Sequence, residues 1–141
     1  MPTIAQKVAD TIAANSTPEQ WPLEQVAELY APDVHFVDPL QDFTGRDTLL
    51  QMMKNLRERF AYIRFVDLSV VGDDSHFFIS YTMRIRLKFG PEFSTFGASE
   101  FRTRDGLVVF HRDAWDPIGT FMNGIPGIGT LYRRALHLMF G

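Results

Sequence analysis

The second half of the chain alternates apolar and polar side chains over long stretches, which is typical of antiparallel strands with one buried face. Four β-rich runs show this alternation, at 62–71, 76–89, 93–103 and 107–116. Short turn sequences separate them, and Asp105-Gly106 predicts a tight hairpin. A sheet of this length must pack one face against another layer, so the fold depends on what precedes it.

Three helical patterns precede the sheet. Ile4, Val8 and Ile12 repeat every four residues and predict a first helix. Thr17, Pro18 and Gln20 form a helix start, and the second helix is expected to run to Pro32 with Tyr30 near its end. A short strand at 34–38 follows, and a third helix opens at 44–45. Helices followed by a meander of strands predict an α+β fold, and no linker divides residues 1–141 into more than one domain.

Composition excludes several classes of protein. The chain has 141 residues, a net charge of −3 and no cysteine, so neither a disulfide framework nor a thiolate metal site can form. The charge offers no broad attraction to nucleic acid, and no such partner is expected. We find neither a secretory signal nor an apolar run long enough to span a bilayer, and we predict a cytoplasmic protein.

The last strand carries His111, Asp113 and Trp115 at alternate positions, so the three side chains share one face. An unpaired buried carboxylate is costly, and a face that carries one is therefore expected to line a pocket. His111 and Asp113 could share a proton with a ligand, or they could be a buried pair that fixes the sheet. Arg84 and Arg86 alternate with apolar residues and are expected on the outer face of the sheet.

The tail at 118–141 reads as a glycine-rich loop followed by an apolar helix at 128–140. A helix with so wide an apolar face must cover something: the mouth of its own sheet, a second copy of the chain, or a lipid surface. The first is favoured here, and membrane contact is not expected.

The order of these elements resembles the SnoaL-like branch of the nuclear transport factor 2-like superfamily over residues 5–117. The matching motifs are Leu-Tyr-Ala-Pro-Asp-Val-His-Phe-Val-Asp-Pro at 29–39, Phe-Thr-Gly-Arg at 43–46 and His-Arg-Asp-Ala-Trp-Asp at 111–116. The resemblance implies a cone-shaped, curved antiparallel sheet wrapped around N-terminal helices, a deep apolar cavity, and a homodimer formed through the outer sheet face. Because this fold carries both enzymes and non-catalytic domains, it does not fix the function.

The resemblance also suggests catalytic residues. Asp38 lies where ketosteroid isomerases place their general base, but Ser99 occupies the position of their second aspartate and the first helix has no tyrosine, so that activity is not expected. Asp113 resembles a carboxylate of limonene-type epoxide hydrolases, yet the strand at 76–89 has no acid to complete their set. Polyketide cyclases need little more than one pocket acid, a role that Asp38 or Asp113 could fill. Asp38 could equally be a turn residue after its strand.

The predicted site therefore has Asp38, Asp113 and His111 as acid and base groups. Its predicted ligand-binding residues are Tyr30, Ser99, Phe101 and Trp115, although the aromatics could also be ordinary core. His111 and Asp113 form a His-x-Asp pattern, but neither a metal nor another cofactor is expected. The hypothesis is an isomerase, cyclase or dehydratase acting on a hydrophobic small molecule. The alternative is a non-catalytic domain that binds a small molecule or forms a dimer.

Overall fold

The computed structural model describes residues 1–13 and 23–141 and contains a curved, unclosed six-stranded sheet with helices packed against it. The described helices are α1 (Ile4–Ala13), α2 (Leu23–Leu29), α3 (Arg46–Arg59), α4 (Pro117–Gly124) and α5 (Ile128–Phe140). The strands are β1 (Tyr30–Asp38), β2 (Gln41–Thr44), β3 (Phe60–Gly72), β4 (His76–Leu87), β5 (Glu92–Arg104) and β6 (Leu107–Ala114). The predicted α+β cone fold is confirmed.

The strand order is β2-β1-β6-β5-β4-β3. Every neighbouring pair is antiparallel except β1 and β6, which run parallel. The meander predicted from the sequence did not include this parallel pair. It has a direct consequence for the site, because it sets Phe36 beside His111 and brings residues from the two ends of the fold together.

The hairpin between β5 and β6 forms as predicted. Asp105 and Gly106 both have positive φ angles, 54° and 78°, as a two-residue type I′ turn requires. The turn pairs the two strands, and a one-residue register shift between Arg102 and Thr103 then places Ser99 opposite Asp113 and Phe101 opposite His111.

The core lies between the first three helices and the inner face of the sheet. Strand β4 shows why: Phe77, Ile79 and Tyr81 are buried, whereas Arg84 and Arg86 are exposed on the outer face as predicted. The buried apolar residues of the helices are Ala5, Val8, Ala9, Val26 and Leu49. The alternation in β4 and the spacing in α1 therefore each direct one apolar face into the same core.

Two local predictions were wrong. Tyr30 begins β1 rather than ending a helix, because it pairs with Val108 of β6. The glycine-rich segment after β6 includes helix α4: Pro117 is at its first turn, and the Asp116 side chain accepts a hydrogen bond from Gly119 N at 2.8 Å. The helix start predicted at Thr17, Pro18 and Gln20 lies outside the described residues.

Helix α5 has the bounds that the sequence predicted, Ile128–Phe140. It packs chiefly against α4 rather than closing the mouth of the sheet. None of the helices in the described ranges combines the length and apolar character needed to cross a bilayer.

Candidate functional site

A cavity of about 130 Å³ lies between the first three helices and the inner face of the sheet. Its wall is mostly apolar, and among the residues that the structure describes the polar groups come from Thr11, Tyr30, Tyr81, Ser99, His111 and Asp113. The apolar lining residues are Val8, Ile12, Val26, Leu29, Phe36, Leu49, Met52, Met53, Leu56, Ile63 and Phe65. A cavity of this size suits a molecule near the size of benzene, which an engineered apolar cavity of about 150 Å³ can hold.

Five of the polar side chains form one hydrogen-bonded chain that meets at Asp113. On one side, Tyr30 Oη lies 2.8 Å from His111 Nδ1, and His111 Nε2 lies 2.6 Å from Asp113 Oδ1. On the other side, Tyr81 Oη lies 2.7 Å from Ser99 Oγ, which donates to Asp113 Oδ1 at 2.5 Å. The side chains of His111 and Asp113 are 12% and 26% exposed, so the pair is largely shielded from water.

Strand register explains this convergence. His111 and Asp113 are two apart on β6 and so share its inner face, while Ser99 is directly opposite Asp113 on β5. Tyr81 lies opposite Gly97, where a Cβ atom would come within 2.9 Å of the tyrosine ring. The absence of a side chain at Gly97 therefore gives Tyr81 the room to reach Ser99.

Burial and neighbouring charges shift the pKa values of three side chains in this hydrogen-bonded chain. Burial raises the pKa of Asp113, but the attraction of His111 and the hydrogen bonds from His111 and Ser99 outweigh it, and the pKa is lowered overall. Burial, followed by the charge of Asp113, raises the pKa of Tyr30 and of Tyr81. At neutral pH Asp113 is therefore ionised and both phenols keep their protons.

An ionised Asp113 fixes the direction of the hydrogen bonds, because a carboxylate only accepts. His111 Nε2 must donate to Asp113, so in neutral His111 the Nδ1 atom accepts from Tyr30. Ser99 donates its one hydroxyl proton to Asp113, so Tyr81 must donate to Ser99. Both arms of the chain thus direct their protons toward Asp113, and its Oδ2 atom receives no hydrogen bond from the described residues.

The structure separates Asp38 from this group. Asp38 Oδ1 accepts hydrogen bonds from the backbone N–H groups of Leu40 and Gln41 at 2.8 and 3.0 Å, and Oδ2 accepts from the Gln41 side chain at 2.9 Å. Asp38 does not line the cavity. Its geometry is that of a residue that stabilises the β1–β2 turn, and its role as a base remains a prediction.

The predicted ligand-binding residues divide into two groups. Tyr30 and Ser99 line the cavity, whereas Phe101 and Trp115 do not. Phe101 is fully buried and its ring packs against His111, with 4.4 Å between ring centroids, so it helps to hold the His111 ring in position. Trp115 packs against the core cluster just after β6.

Of the five side chains in the hydrogen-bonded chain, Tyr81 is the one that the sequence analysis did not predict as a site residue. A signal was present, because Tyr81 falls at an inward position of β4 between Ile79 and Met83. A buried tyrosine needs a partner for its hydroxyl group, and that requirement points to a polar group nearby. Within the described ranges, no three histidine or acidic side chains are close enough together to hold a metal ion.

Replacing Ser99 with alanine tests whether the second arm stabilises the fold. We expect Ser99→Ala to lower the free energy of unfolding by about 1 to 3 kcal/mol, because the Tyr81 hydroxyl and Asp113 both lose a buried partner. Urea unfolding measures this. Ser94→Ala, at an exposed position of the same strand, is the matched control and should change stability by less than about 0.5 kcal/mol. Equal effects in the two variants would contradict the assignment.

The lowered pKa of Asp113 predicts a pH dependence of stability. A carboxyl with a lower pKa in the folded than in the unfolded state stabilises the fold fully above its ordinary pKa, about 3.9. That contribution is lost as the pH falls through the lower, folded-state pKa. We expect Asp113→Asn to be less stable than the wild type at neutral pH, by about 1 kcal/mol for each hydrogen bond that loses its charged acceptor. The difference in the free energy of unfolding between Asp113→Asn and the wild type should narrow below about pH 4. Urea unfolding across the pH range measures this difference. A difference independent of pH would show that it does not arise from the ionisation of Asp113.

Comparison with known proteins identifies the family. The family model described as the SnoaL-like domain matches residues 19–111, which is more than half of the chain. The chain belongs to the SnoaL-like domain family. A search of curated proteins finds no match.

Solved structures share the SnoaL-like fold at low sequence identity. A putative polyketide cyclase from Pseudomonas putida has a TM-score of 0.74 and 13% identity, covering 86% of this chain and 96% of that one. An LEH-like epoxide hydrolase from M. tuberculosis has a TM-score of 0.70 and 14% identity, covering 93% and 96%. A hypothetical protein with a ketosteroid isomerase-like fold from Catenulispora acidiphila, in complex with trimethylamine, has a TM-score of 0.69 and 18% identity, covering 86% and 94%. At such identities these likenesses establish the fold alone.

Proposed function

We propose that the cavity binds a small hydrophobic molecule and that Asp113 removes a proton from it and returns one to it. The observation that carries this proposal is the convergence of two hydrogen-bonded arms on one carboxylate in an otherwise apolar cavity. Isomerisation, cyclisation and dehydration are the reaction classes that such a proton transfer serves.

The direction of the hydrogen bonds favours a ligand that donates. Ser99 donates to Asp113 and Tyr81 donates to Ser99, and in the tautomer of His111 that accepts at Nδ1 the proton of Tyr30 is engaged as well. In that tautomer the five side chains offer the ligand acceptors only, and the strongest of them is Asp113 Oδ2. A carbon acid, which offers a C–H proton, fits this surface.

The step balances without a cofactor. Asp113 Oδ2 takes the proton from carbon, and the electron pair of that C–H bond moves into an adjacent electron-withdrawing group of the ligand. Return of the proton to the same carbon or to another one leaves the carboxylate ionised again. His111 and Ser99 hold Asp113 Oδ1 throughout, so only Oδ2 needs to change its protonation.

Nitroethane is a suitable probe, because it is small enough for the cavity and its C–H protons exchange with deuterium once a base removes them. Proton NMR in heavy water follows the exchange. We expect the wild-type protein to accelerate exchange above an equal concentration of acetate. Exchange no faster than with acetate would count against proton-transfer chemistry.

A second candidate is binding without turnover, and one observation favours it. The lowered pKa of Asp113 keeps it charged in a cavity that also has the aromatic rings of Tyr30, Phe36, Phe65 and Tyr81. A carboxylate among aromatic rings suits a small organic cation, and the Catenulispora relative is in complex with trimethylamine. Calorimetric binding of trimethylammonium that disappears in Asp113→Asn, without any exchange of nitroethane, would favour this candidate.

A further inference from the structure

Helices α4 and α5 and the loop between them expose large apolar side chains outside the cavity and the sheet. Leu138, Phe140 and Met139 of α5 are 90%, 81% and 71% exposed, and Leu131 is 67% exposed. Ile118 of α4 is 61% exposed. We call the surface formed by residues 117–141 the tail surface. Single exposed apolar residues are common, but a contiguous set marks an interaction surface.

Helix α5 is strongly amphipathic. Its polar residues, Thr130, Arg133, Arg134 and His137, fall on one side at helical spacing, and the apolar residues occupy roughly half of the circumference or more. The packing of α4 against α5 leaves most of this apolar face in solvent. Arginines beside a wide apolar face are typical of helices that lie in a membrane interface.

Charge is unevenly distributed between the tail surface and the rest of the chain. Residues 117–141 include Arg133 and Arg134 but no acidic residue. Because these arginines contribute +2 to a net charge of −3, residues 1–116 carry −5. A two-fold partner presenting the same surface would bring arginines toward arginines with no carboxylate from either tail. A lipid surface with anionic headgroups complements both the apolar face and the arginines.

We propose that the tail surface binds the interface of an anionic lipid bilayer, with the apolar face of α5 in the headgroup region and Arg133 and Arg134 close to the lipid phosphates. The sequence alone favoured the sheet as the partner of this helix. The structure leaves the helix packed against α4 with its apolar face exposed, and a surface-bound helix needs no membrane-spanning length.

Vesicle flotation with the full chain tests the proposal. We expect the protein to float with vesicles of phosphatidylcholine and phosphatidylglycerol in equal amounts, and much less with phosphatidylcholine alone. Arg134→Glu should weaken binding at least about fivefold, since each basic residue near an anionic surface contributes about that factor. Leu138→Asp should weaken it further, and its 90% exposure means that the fold tolerates the change.

Matched controls lie elsewhere on the surface. Leu40→Asp changes an exposed leucine at the β1–β2 turn, and Arg84→Glu changes an exposed arginine on β4. Both should float as the wild type does. Absence of flotation, or equal losses in the control variants, would overturn the proposal. So would a dimer of the wild type that Leu138→Asp converts to a monomer in light scattering, because the apolar face would then belong to a second copy.

Discussion

Replacing Asp113 with asparagine is expected to reduce the protein-catalysed exchange of nitroethane at least about 100-fold, which is the lower range for loss of a general base. Asparagine has the same shape and retains an oxygen that can accept from His111 and Ser99, so the hydrogen-bonded chain can persist. The variant has an amide NH2 group in place of Oδ2, so it has no second oxygen that can take a proton. The measurement is the exchange rate by NMR, with circular dichroism to establish that the variant is folded.

The protein contains a second histidine–aspartate pair, which provides a matched control. His35 Nε2 lies 2.7 Å from Asp42 Oδ1, nearly the separation of the pair in the cavity, but both side chains are exposed and neither lines the cavity. Asp42→Asn should therefore exchange nitroethane at the wild-type rate. If Asp42→Asn slowed the exchange as much as Asp113→Asn, the effect would not come from the cavity.

Asp38→Asn separates the two bases that the family resemblance leaves open. A large loss in Asp38→Asn together with a full rate in Asp113→Asn would assign the proton transfer to Asp38 and contradict our proposal. The hydrogen bonds of Asp38 to Leu40 and Gln41 lead us to expect a change in the stability of the turn instead.

The part of the site on β6 could be predicted because strand periodicity is local. His111 and Asp113 are two residues apart, so their shared face follows from the geometry of any strand. The hairpin predicted at Asp105 and Gly106 pairs β5 with β6. Ser99, a predicted site residue, lies opposite Asp113 only because of a one-residue register shift between Arg102 and Thr103, which the sequence analysis did not predict. Prediction succeeded where a short sequence segment contains the whole geometric cause.

The rest depended on contacts between distant segments. The 2.8 Å contact between Tyr30 and His111 spans 81 positions and needs the parallel pairing of β1 with β6, which no local pattern encodes. Tyr81 reaches Ser99 only because Gly97 lies opposite it. Helix α4 was missed for a different reason: its glycines suggested a loop, while the cap at Asp116 and Pro117 made a short helix stable.

Phe101→Ala is expected to cause the largest loss of stability among the variants considered, about 3 to 5 kcal/mol. The Phe101 side chain is 0% exposed, stacks on Phe77 with 5.0 Å between ring centroids, and supports the ring of His111. Truncation leaves a cavity that the sheet cannot fill, because strand pairing holds the backbone on both sides of β5. Urea unfolding monitored by circular dichroism measures the loss.

The same strand provides the comparison that separates burial from residue type. Phe96 is also on β5 but faces outward and is 71% exposed, so Phe96→Ala should change stability by less than about 0.5 kcal/mol. Phe101→Ala should in addition slow nitroethane exchange, even under conditions where it is fully folded, because His111 loses the ring that holds it against Asp113. A large stability loss with a wild-type exchange rate would mean that Phe101 is core alone and that Tyr30 and Asp113 suffice to position His111.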